Sequence, residues 1–368
     1  MNSKKIIHFY YRFQMGGSEN LTLAIIKNNP DYQHFILVMQ GESPFQNFCE
    51  SKYKLNFLNL NLISNKFFSY SKWRLIYNEV KKINPDVIHA YMFDSSQYAR
   101  IIAFLLKKPI LIYIVNTYKN KKIRRGAVNF LLSLITRKII VCSEDVKNDV
   151  IKFDRVNAKK IITIDSFAMF DFKKDYSINL SEKFNLSAET FKLLTIARIV
   201  EQKGLFLLVD AIDICVNAFK IDKIKLFIVG DGPLKKDLVD YIASRNLSGY
   251  IFLVGEQNNL NIYLTQCNAY IDPSLWAGMN VSSIKALEAS LPLLITDVGG
   301  ARKLTCEGKY GVLCKANDAH SLAFGIESLL VKKKVNTKEA YEYIWENFSD
   351  TTAGRKIGEL YKSLLMKI

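Results

Sequence analysis

The chain has 368 residues, of which 49% are hydrophobic and 23% are charged, and its formal net charge at pH 7 is +16. This length and composition allow two packed domains of about 150–200 residues each and exclude a disordered protein, and the apolar runs fall short of the roughly 18 residues that a transmembrane helix requires. Six cysteines are scattered without a Cys-x-x-Cys pair, which predicts free thiols, a cytoplasmic protein and no structural metal.

The positive charge is concentrated in the first half of the chain. Residues 1–180 contain 28 Lys and Arg against 14 Asp and Glu, whereas residues 181–368 contain 23 and 21. Between Ser95 and Ser143 there are ten basic residues and no acidic one. Such a surface attracts polyanions, and we expect it to meet the anionic inner face of a membrane. Nucleic acid is not expected, because no recognised reading module is present.

In residues 1–180, short aliphatic runs alternate with helical stretches, which is typical of a parallel sheet with crossover helices. The predicted strands are Lys5–Phe9, His34–Val38, Val87–Ala90, Ile110–Val115, Lys138–Val141 and Ile161–Ile164. The predicted helices are Ser18–Lys27, Lys72–Ile83, Gln97–Leu106, Arg124–Ile135 and Glu144–Lys152. This half is therefore predicted to form one doubly wound, Rossmann-like domain.

A polar segment, Asp171–Glu189, is predicted to link this domain to a second one over residues 181–345. The strands predicted there are Lys192–Ile196, Lys225–Val229, Ile251–Val254, Ala269–Ile271 and Leu293–Thr296. The helices predicted there are Leu205–Phe219, Leu234–Ser244, Leu260–Gln266, Ser282–Ala289, Ala319–Leu330 and Lys338–Asn347. A last helix within residues 346–368 is expected to pack back toward the first domain. The predicted fold is α/β, with two Rossmann-like domains that face a cleft.

Gly16 and Gly17 follow the first predicted strand and open a helix. A glycine pair lets backbone approach a ligand, and a helix start offers unpaired N–H groups, so this loop is a candidate contact on the acceptor side. The alternative is a plain strand-to-helix turn capped by Ser18.

Arg198 and Lys203 occupy the equivalent position in the second half, after its first strand. Two cations at a strand end and a helix start can hold a diphosphate. Further along, a loop around Gly278 precedes a predicted helix, a buried strand and a Gly-Gly turn at residues 299–300. Each cation alone is typical of a solvated surface, but together with this loop they predict a binding site for a diphosphate-containing ligand.

The ordered motifs resemble the retaining nucleotide-sugar glycosyltransferases of family 4, which have the GT-B fold. The motifs that carry the resemblance are Gly16–Glu19, Pro85–Ala90, Ile140–Ser143, Arg198 with Lys203–Gly204, Val229–Pro233, Ala269–Ser274, Leu291–Pro292 and Asp297–Gly300. The resemblance implies that Arg198 and Lys203 stabilise the departing diphosphate. It further implies that the donor is bound by the segment Gly278, Met279, Asn280 and Val281.

The chain departs from this family where carboxylates are expected. The family's Glu-x7-Glu motif falls on Ala277 and Lys285, and a third acidic position falls on Lys303. An ammonium donates hydrogen bonds and cannot replace a carboxylate that accepts them from sugar hydroxyls. Lys285 is still a candidate donor-binding residue, suited to a donor with an extra negative charge such as a uronic acid. Glu288, one helical turn after Lys285, either supplies a displaced carboxylate for the donor or pairs with Lys285.

Two features of the first half bear on the acceptor. Asn116 stands where the family often has a histidine that donates to the sugar, which makes Asn116 a catalytic candidate. The basic stretch Lys119–Gly126 and the apolar stretch Val128–Ile135 that follows suit a helix at a membrane surface. The alternative is a solvated charged face beside a buried apolar one.

The resemblance thus implies a retaining hexosyltransferase that moves a sugar from a nucleoside diphosphate donor to a lipid-linked or cell-surface glycan, of the bacterial polysaccharide, O-antigen, capsule or lipopolysaccharide type. No metal or cofactor is expected, since two cations neutralise the leaving group. The enzyme is expected to work at the inner face of the membrane, together with a partner glycosyltransferase. The alternative is a non-catalytic subunit that binds an acceptor or a partner transferase.

Overall fold

A computed structural model describes residues 3–14, 17–53, 55–62, 69–114, 123–276, 280–331 and 337–366. The chain divides into two compact units. The first unit comprises Met1–Met169 together with Ser349–Ile368, and the second comprises Phe170–Phe348. The boundary lies earlier than the sequence indicated, so that the polar segment Asp171–Glu189 lies in the second unit.

The described part of the first unit forms a parallel sheet of seven strands in the order β3-β2-β1-β4-β5-β6-β7. The strands are β1 (Lys5–Tyr10), β2 (Gln33–Val38), β3 (Asn56–Asn59), β4 (Val87–Tyr91), β5 (Ile110–Ile114), β6 (Lys138–Val141) and β7 (Ile161–Thr163). The helices are α1 (Gly17–Lys27), α2 (Pro44–Tyr53), α3 (Tyr70–Ile83), α4 (Phe93–Leu105), α5 (Ile123–Ser133), α6 (Glu144–Asp154) and, from the carboxyl terminus, α15 (Asp350–Leu365). This is the doubly wound domain predicted from the sequence.

The described part of the second unit forms a parallel sheet of six strands in the order β10-β9-β8-β11-β12-β13. The strands are β8 (Phe191–Ile196), β9 (Ile224–Val229), β10 (Ile251–Gly255), β11 (Ala269–Asp272), β12 (Leu293–Thr296) and β13 (Gly311–Cys314). The helices are α7 (Leu180–Lys183), α8 (Leu205–Asp213), α9 (Lys235–Ser244), α10 (Asn261–Gln266), α11 (Val281–Glu288), α12 (Ala301–Leu304), α13 (Ala319–Val331) and α14 (Thr337–Phe348). After α8 the chain continues as a π-helical turn, Ile214–Ala218.

Five elements have no counterpart in the sequence prediction: α2, β3, α7, α12 and β13. The strand β3 has only four residues, Asn-Phe-Leu-Asn, and forms the sheet edge, where its side chains are half-buried or exposed. An edge strand of this kind lacks the alternating or continuous apolar pattern on which strand prediction depends. α4 begins at Phe93, four residues earlier than predicted, and its first turn includes Ser95 and Ser96, whose hydroxyls donate to backbone carbonyls.

The carboxyl-terminal helix α15 packs against α1 within the first unit. Gly354 and Gly358 make this approach close, since a Cβ on Gly354 would lie 2.4 Å from Cβ of Asn28. Asn29 donates through Nδ2 to the carbonyl of Gly354 at 3.0 Å. Asp350, at the start of the helix, accepts from Lys27 at 3.1 Å. These contacts make α15 part of the core of the first domain.

Three of the chain's four histidines are buried together between the first sheet and α15. Nε2 of His8 lies 2.9 Å from Nδ1 of His34, and Nδ1 of His8 lies 2.9 Å from the hydroxyl of Tyr91. His89 contacts the hydroxyl of Tyr361, on α15, through Nδ1 at 2.7 Å. Since β1, β2 and β4 are neighbouring strands, the three rings form one polar layer under the carboxyl-terminal helix.

Burial lowers the pKa of all three histidines because it disfavours the charged ring. The pKa of His89 falls to about 3, and that of His8 lies well below the usual value, with His34 and His89 adding to the effect of burial. The pKa of His34 is lowered by burial as well, against a hydrogen bond to the Asn29 carbonyl. At neutral pH the three rings are therefore uncharged.

We expect the first domain to lose stability as the pH falls below about 6.5. Each buried histidine stays neutral in the folded chain and gains a proton on unfolding, so each contributes a slope of about 1.4 kcal/mol per pH unit in that range. Urea unfolding at several pH values measures the slope, and His89→Gln should reduce it. The matched control is His320→Gln, at the exposed fourth histidine. An equal slope in the wild type and His89→Gln would contradict this account.

Candidate functional site

The strand order of the second sheet reverses direction between β8 and β11. In doubly wound sheets, ligands bind beyond the carboxyl ends of the two strands that flank such a switch point. β8 ends at Ile196 and is followed by Arg198 and Lys203, while β11 ends at Asp272 and is followed by Ser274. The cations predicted from the sequence therefore lie at the switch point.

The loop after β8 is held in place by close backbone contacts. Lys203 belongs to a short 3-10 helix that ends at Gly204, where φ is +60° and a Cβ would lie 2.1 Å from the carbonyl oxygen of Pro273. Gly230, with φ of +136°, meets the carbonyl of Ala197 in the same way. Only glycine fits either position. The loops after β8, β9 and β11 are thereby packed together at one edge of the sheet.

Lys203 is joined to the start of α11 through a chain of hydrogen bonds. It donates to Oδ1 of Asn280 at 2.5 Å, and Nδ2 of Asn280 donates to Oδ2 of Asp272 and to Oγ of Ser274, the latter at 3.0 Å. Asp272 also accepts from Oγ of Ser283 at 2.7 Å and from Oγ of Ser274 at 2.6 Å. The buried carboxylate of Asp272 thus organises the residues around Lys203.

The electrostatics of this cluster favour an anion. The pKa of Lys203 is lowered by burial, is raised by the carboxylate of Asp272, and is lowered again by the positive charge of Arg198. The side chain of Arg198 is exposed and makes no hydrogen bond or ion pair within the described residues. α11 begins at Val281, so its first unpaired N–H groups lie directly after Asn280. Two cations and a helix amino terminus therefore converge where a diphosphate would be bound.

Lys285 and Glu288 form an ion pair on α11. Nζ of Lys285 donates to Oε2 of Glu288 at 2.7 Å and to Oδ1 of Asp171 at 2.5 Å. Oε1 of Glu288 accepts from the backbone N–H of Phe172 at 2.7 Å. Burial raises the pKa of Glu288, and the bonds to Lys285 and Phe172 oppose this shift. Of the two roles considered for Glu288, these contacts favour the pairing role, which attaches the segment Phe170–Phe172 to α11.

Replacing Lys285 by methionine is expected to lower the stability of the second domain by about 1–3 kcal/mol at pH 7, because Glu288 would stay buried without its cation. Donor affinity should change less than about threefold. The double variant Lys285→Met with Glu288→Gln should regain part of the stability, which a double-mutant cycle by urea unfolding measures. Loss of donor binding with unchanged stability would instead place Lys285 in the donor pocket, as the sequence predicted.

Several residues predicted from the sequence lie outside the described ranges. They are Gly16, Asn116, Gly278 and Met279, together with Ala277. Their neighbours are described: Gly17 is the first residue of α1, and Val281 is the first residue of α11. The predicted roles of all these residues in binding donor or acceptor stay predictions.

Tyr10, at the end of β1, contacts the first turns of α1, which follows the candidate acceptor-side loop. Its hydroxyl donates to the carbonyl of Ser18 at 2.9 Å and contacts Oγ1 of Thr22 at 2.6 Å. Ser18 donates through Oγ to Glu19 at 2.7 Å, and burial raises the pKa of that carboxyl group. The start of α1 is thus attached to the first switch point, between β1 and β4.

Sequence reasoning assigned no role to Asp272, Ser274 or Ser283. Asp272 and Ser274 could have been predicted, because an Asp-Pro-Ser sequence directly after a buried strand places polar side chains at the ligand edge of a sheet. Ser283 carried no signal, since a serine within a helix usually faces solvent. Within the described ranges no group of three His, Cys, Asp or Glu residues is arranged to hold a metal. None of the helices described there combines the length and apolarity of a membrane span.

Comparison with known proteins gives consistent results along the whole chain. Residues 15–166 match the family model described as Glycosyltransferase Family 4, and residues 177–345 match that of Glycosyl transferases group 1. The chain is 24% identical over 386 residues to the UDP-Gal:alpha-D-GlcNAc-diphosphoundecaprenol alpha-1,3-galactosyltransferase of Escherichia coli, covering 98% of this chain and 97% of that one.

Two further similarities concern a second enzyme and a solved structure. The chain is 26% identical over 301 residues to the N-acetylgalactosamine-N,N'-diacetylbacillosaminyl-diphospho-undecaprenol 4-alpha-N-acetylgalactosaminyltransferase of Campylobacter jejuni, covering 78% and 76% of the two chains. It superposes on Anabaena HepE in complex with UDP and glucose with a TM-score of 0.84 at 18% identity, covering 98% of this chain and 100% of the other. With both domain models matched in order, the chain belongs to the family 4 glycosyltransferases and has their two Rossmann-like domains.

Proposed function

We propose that this protein transfers a sugar, with retention of its anomeric configuration, from a nucleoside diphosphate sugar to a lipid-linked glycan. The observation that carries the proposal is the arrangement around Lys203. Lys203 and the exposed Arg198 beside it supply positive charge, and the start of α11 supplies backbone N–H donors. A departing diphosphate is stabilised by both.

In the reaction, the bond between the anomeric carbon and the diphosphate oxygen breaks. An acceptor hydroxyl bonds to that carbon from the face that the diphosphate leaves, and it passes its proton to an oxygen of the departing diphosphate. Negative charge grows on the leaving diphosphate as the bond breaks. Lys203 and Arg198 stabilise that charge in the transition state more than in the ground state, which accelerates the step. Asp272 positions Lys203 through Asn280. We propose that this pair of cations performs the neutralisation without a metal or cofactor.

The lipid-linked acceptor is proposed from the relatives. The names of the Escherichia coli and Campylobacter jejuni enzymes both specify a sugar carried on diphosphoundecaprenol. Such acceptors belong to a bilayer, so we place this protein at the inner face of the membrane, held there peripherally, where a partner glycosyltransferase would supply or extend the glycan. The basic first half of the chain supports an anionic surface as its binding site.

The donor pocket has changed relative to the family pattern, but its diphosphate site is retained. Ala277, Lys285 and Lys303 replace three carboxylates. Lys285 forms ion pairs with Asp171 and Glu288, so we propose that other groups bind the hydroxyls of the sugar and the ribose. Arg198, Lys203 and the hydrogen bonds of Asp272 and Asn280 that position Lys203 are all present. They favour a working enzyme over a non-catalytic subunit, because a subunit that binds no donor does not need a diphosphate site.

Calorimetric titration with UDP-, GDP-, ADP- and CMP-sugars tests the proposal. We expect one of the three diphosphate donors to bind, and CMP-sugars, which carry a single phosphate, to bind at least about tenfold more weakly. Arg198→Ala should weaken binding of the diphosphate donor by about ten- to a hundredfold. The matched control is Lys236→Ala, at an exposed lysine of the same domain. If no diphosphate donor binds, the active enzyme proposed here is wrong.

A further inference from the structure

Helix α5 has its polar and apolar faces reversed relative to an ordinary surface helix. The residues that face the domain interior are Gly126, Asn129 and Ser133, and the last two are almost fully buried. From residue 126 onward, where the structure describes the side chains of α5, the residues that face outward are apolar: Val128, Phe130 and Leu131 are 41%, 43% and 62% exposed. A helix on a water-exposed surface usually buries its apolar face. The outer face of α5 is therefore better suited to contact with an apolar environment than with water.

Buried polar contacts fix this orientation. Arg100 of α4 donates through Nη1 to Oδ1 of Asn129 at 2.9 Å, and Nδ2 of Asn129 donates to Asp154 of α6 at 2.8 Å. A Cβ on Gly126 would lie 2.6 Å from the carbonyl oxygen of Phe153, so α5 and α6 are in close contact there. Turning α5 to hide its apolar residues would break these hydrogen bonds of Asn129 to the buried Arg100 and Asp154.

The apolar surface continues at the ends of α4 and α5. Asn129 of α5 lies beside Arg100 of α4. Phe104 follows Arg100 by one helical turn in α4, and Leu134 comes directly after the last residue of α5; they are 62% and 67% exposed. Leu105, also at the end of α4, is 55% exposed. The outer face of α5 and the two helix ends thus form one apolar surface, termed the α4–α5 surface below.

Basic loops border the α4–α5 surface at the amino ends of β5, β6 and β7. The segments 106–109, 134–137 and 155–160 contain six basic residues and no acidic one. The basic residues are Lys107, Lys108, Arg137, Arg155, Lys159 and Lys160. The three strands are consecutive in the sheet, and neighbouring strands are about 4.8 Å apart, so the loops lie side by side.

We propose that the α4–α5 surface docks the protein on an anionic bilayer, with its apolar side chains in the interface and the basic loops against lipid phosphates. A row of cations beside exposed leucine and phenylalanine matches the chemistry of such an interface. The uniform positive charge argues for a lipid phosphate surface, since an interface between two copies of this face would bring like charges together. The inference rests on the lipid-linked acceptor proposed above and names the surface that holds the enzyme on the bilayer carrying that acceptor.

Flotation with lipid vesicles tests this surface. We expect the wild type to float with vesicles of phosphatidylcholine and phosphatidylglycerol, less so at high salt, and not with phosphatidylcholine alone. Leu131→Ser with Leu134→Ser should reduce the bound fraction about tenfold or more, and Lys107→Gln with Arg137→Gln should reduce it severalfold at low salt. The matched controls are Leu75→Ser, at an exposed leucine of α3, and Lys174→Gln with Lys236→Gln.

The outcomes separate this proposal from the proposed function. Donor titration on the same preparations should give equal affinities for the wild type and the surface variants. A double leucine variant that floats like the wild type overturns the docking surface, and so does wild-type protein that binds its donor but no anionic vesicle. A dimer in analytical ultracentrifugation that dissociates in the leucine variant would assign the surface to self-association and overturn bilayer docking. Normal flotation without any donor binding would overturn the proposed enzyme and leave the surface standing.

Discussion

Replacing Lys203 by glutamine is expected to lower kcat/KM for sugar transfer by roughly two to three orders of magnitude. The ammonium group lies at the switch point of the second sheet, bonded to Asn280, with the charge of Arg198 close enough to lower its pKa. Glutamine retains a donor for Asn280 but brings no charge to the diphosphate. The loss should therefore fall on kcat more than on KM, since charge on the leaving group grows in the transition state.

Steady-state kinetics on the purified protein, with the donor identified by calorimetry, measures this effect. Lys235→Gln is the matched control, because Lys235 is a half-exposed lysine of the same domain that pairs with Asp231 on its own loop. The control should retain activity within about threefold of the wild type. If Lys203→Gln also stays within that range, the diphosphate is stabilised elsewhere and the assignment of Lys203 is wrong.

Replacing Asp272 by alanine is expected to destabilise the second domain by about 2–4 kcal/mol and to weaken donor binding as well. The buried carboxylate accepts hydrogen bonds from Asn280, Ser274 and Ser283, and these residues fix the start of α11. Without it, three polar side chains lose their common partner, and Lys203 loses the arrangement that directs it. Asp272 is thus a positioning residue that acts through Asn280.

Urea unfolding followed by tryptophan fluorescence reports the stability change, because Trp276 and Trp345 lie in the second unit. Asp240→Asn, at an exposed aspartate of α9, provides the control. Ser283→Ala removes one of the bonds and should cost about 1 kcal/mol with a small effect on donor affinity. A variant Asp272→Ala that is as stable as the wild type and binds donor equally well would show that Asp272 does not organise the site.

The strands of the two sheets were predictable because buried parallel strands are short, continuous apolar runs. β6 and β12 agree with their predicted ranges, Lys138–Val141 and Leu293–Thr296, residue for residue. The edge strand β3 was missed, since its side chains are half-buried at most and its four residues include two asparagines. A buried strand packs on both faces, so most of its positions are apolar and the sequence pattern is recognisable. An edge strand is partly exposed, so its positions can be polar and the pattern is lost.

The candidate site was predictable only in part, for a related reason. The position of Arg198 and Lys203 at the ligand edge of the sheet was predictable because a cation after a strand end has a recognisable place in the sequence. The contacts of Lys285 with Asp171, and of Glu288 with Phe172, join residues more than 110 positions apart, so no local pattern indicates them. Asp272 acts through its neighbours, and a carboxylate in that role looks the same in sequence as one that caps a turn.

We propose that this chain is a working glycosyltransferase whose diphosphate site is retained without the family's carboxylates at positions 277 and 285. The most direct measurement incubates the purified protein with its radiolabelled nucleotide sugar and a polyprenyl diphosphate-linked glycan, and determines the anomeric configuration of the product by NMR. We predict transfer to the lipid-linked glycan with retained configuration, reduced at least about a hundredfold by Lys203→Gln. Donor binding without transfer to any lipid-linked or free glycan, at a level no higher than that of Lys203→Gln, would contradict it.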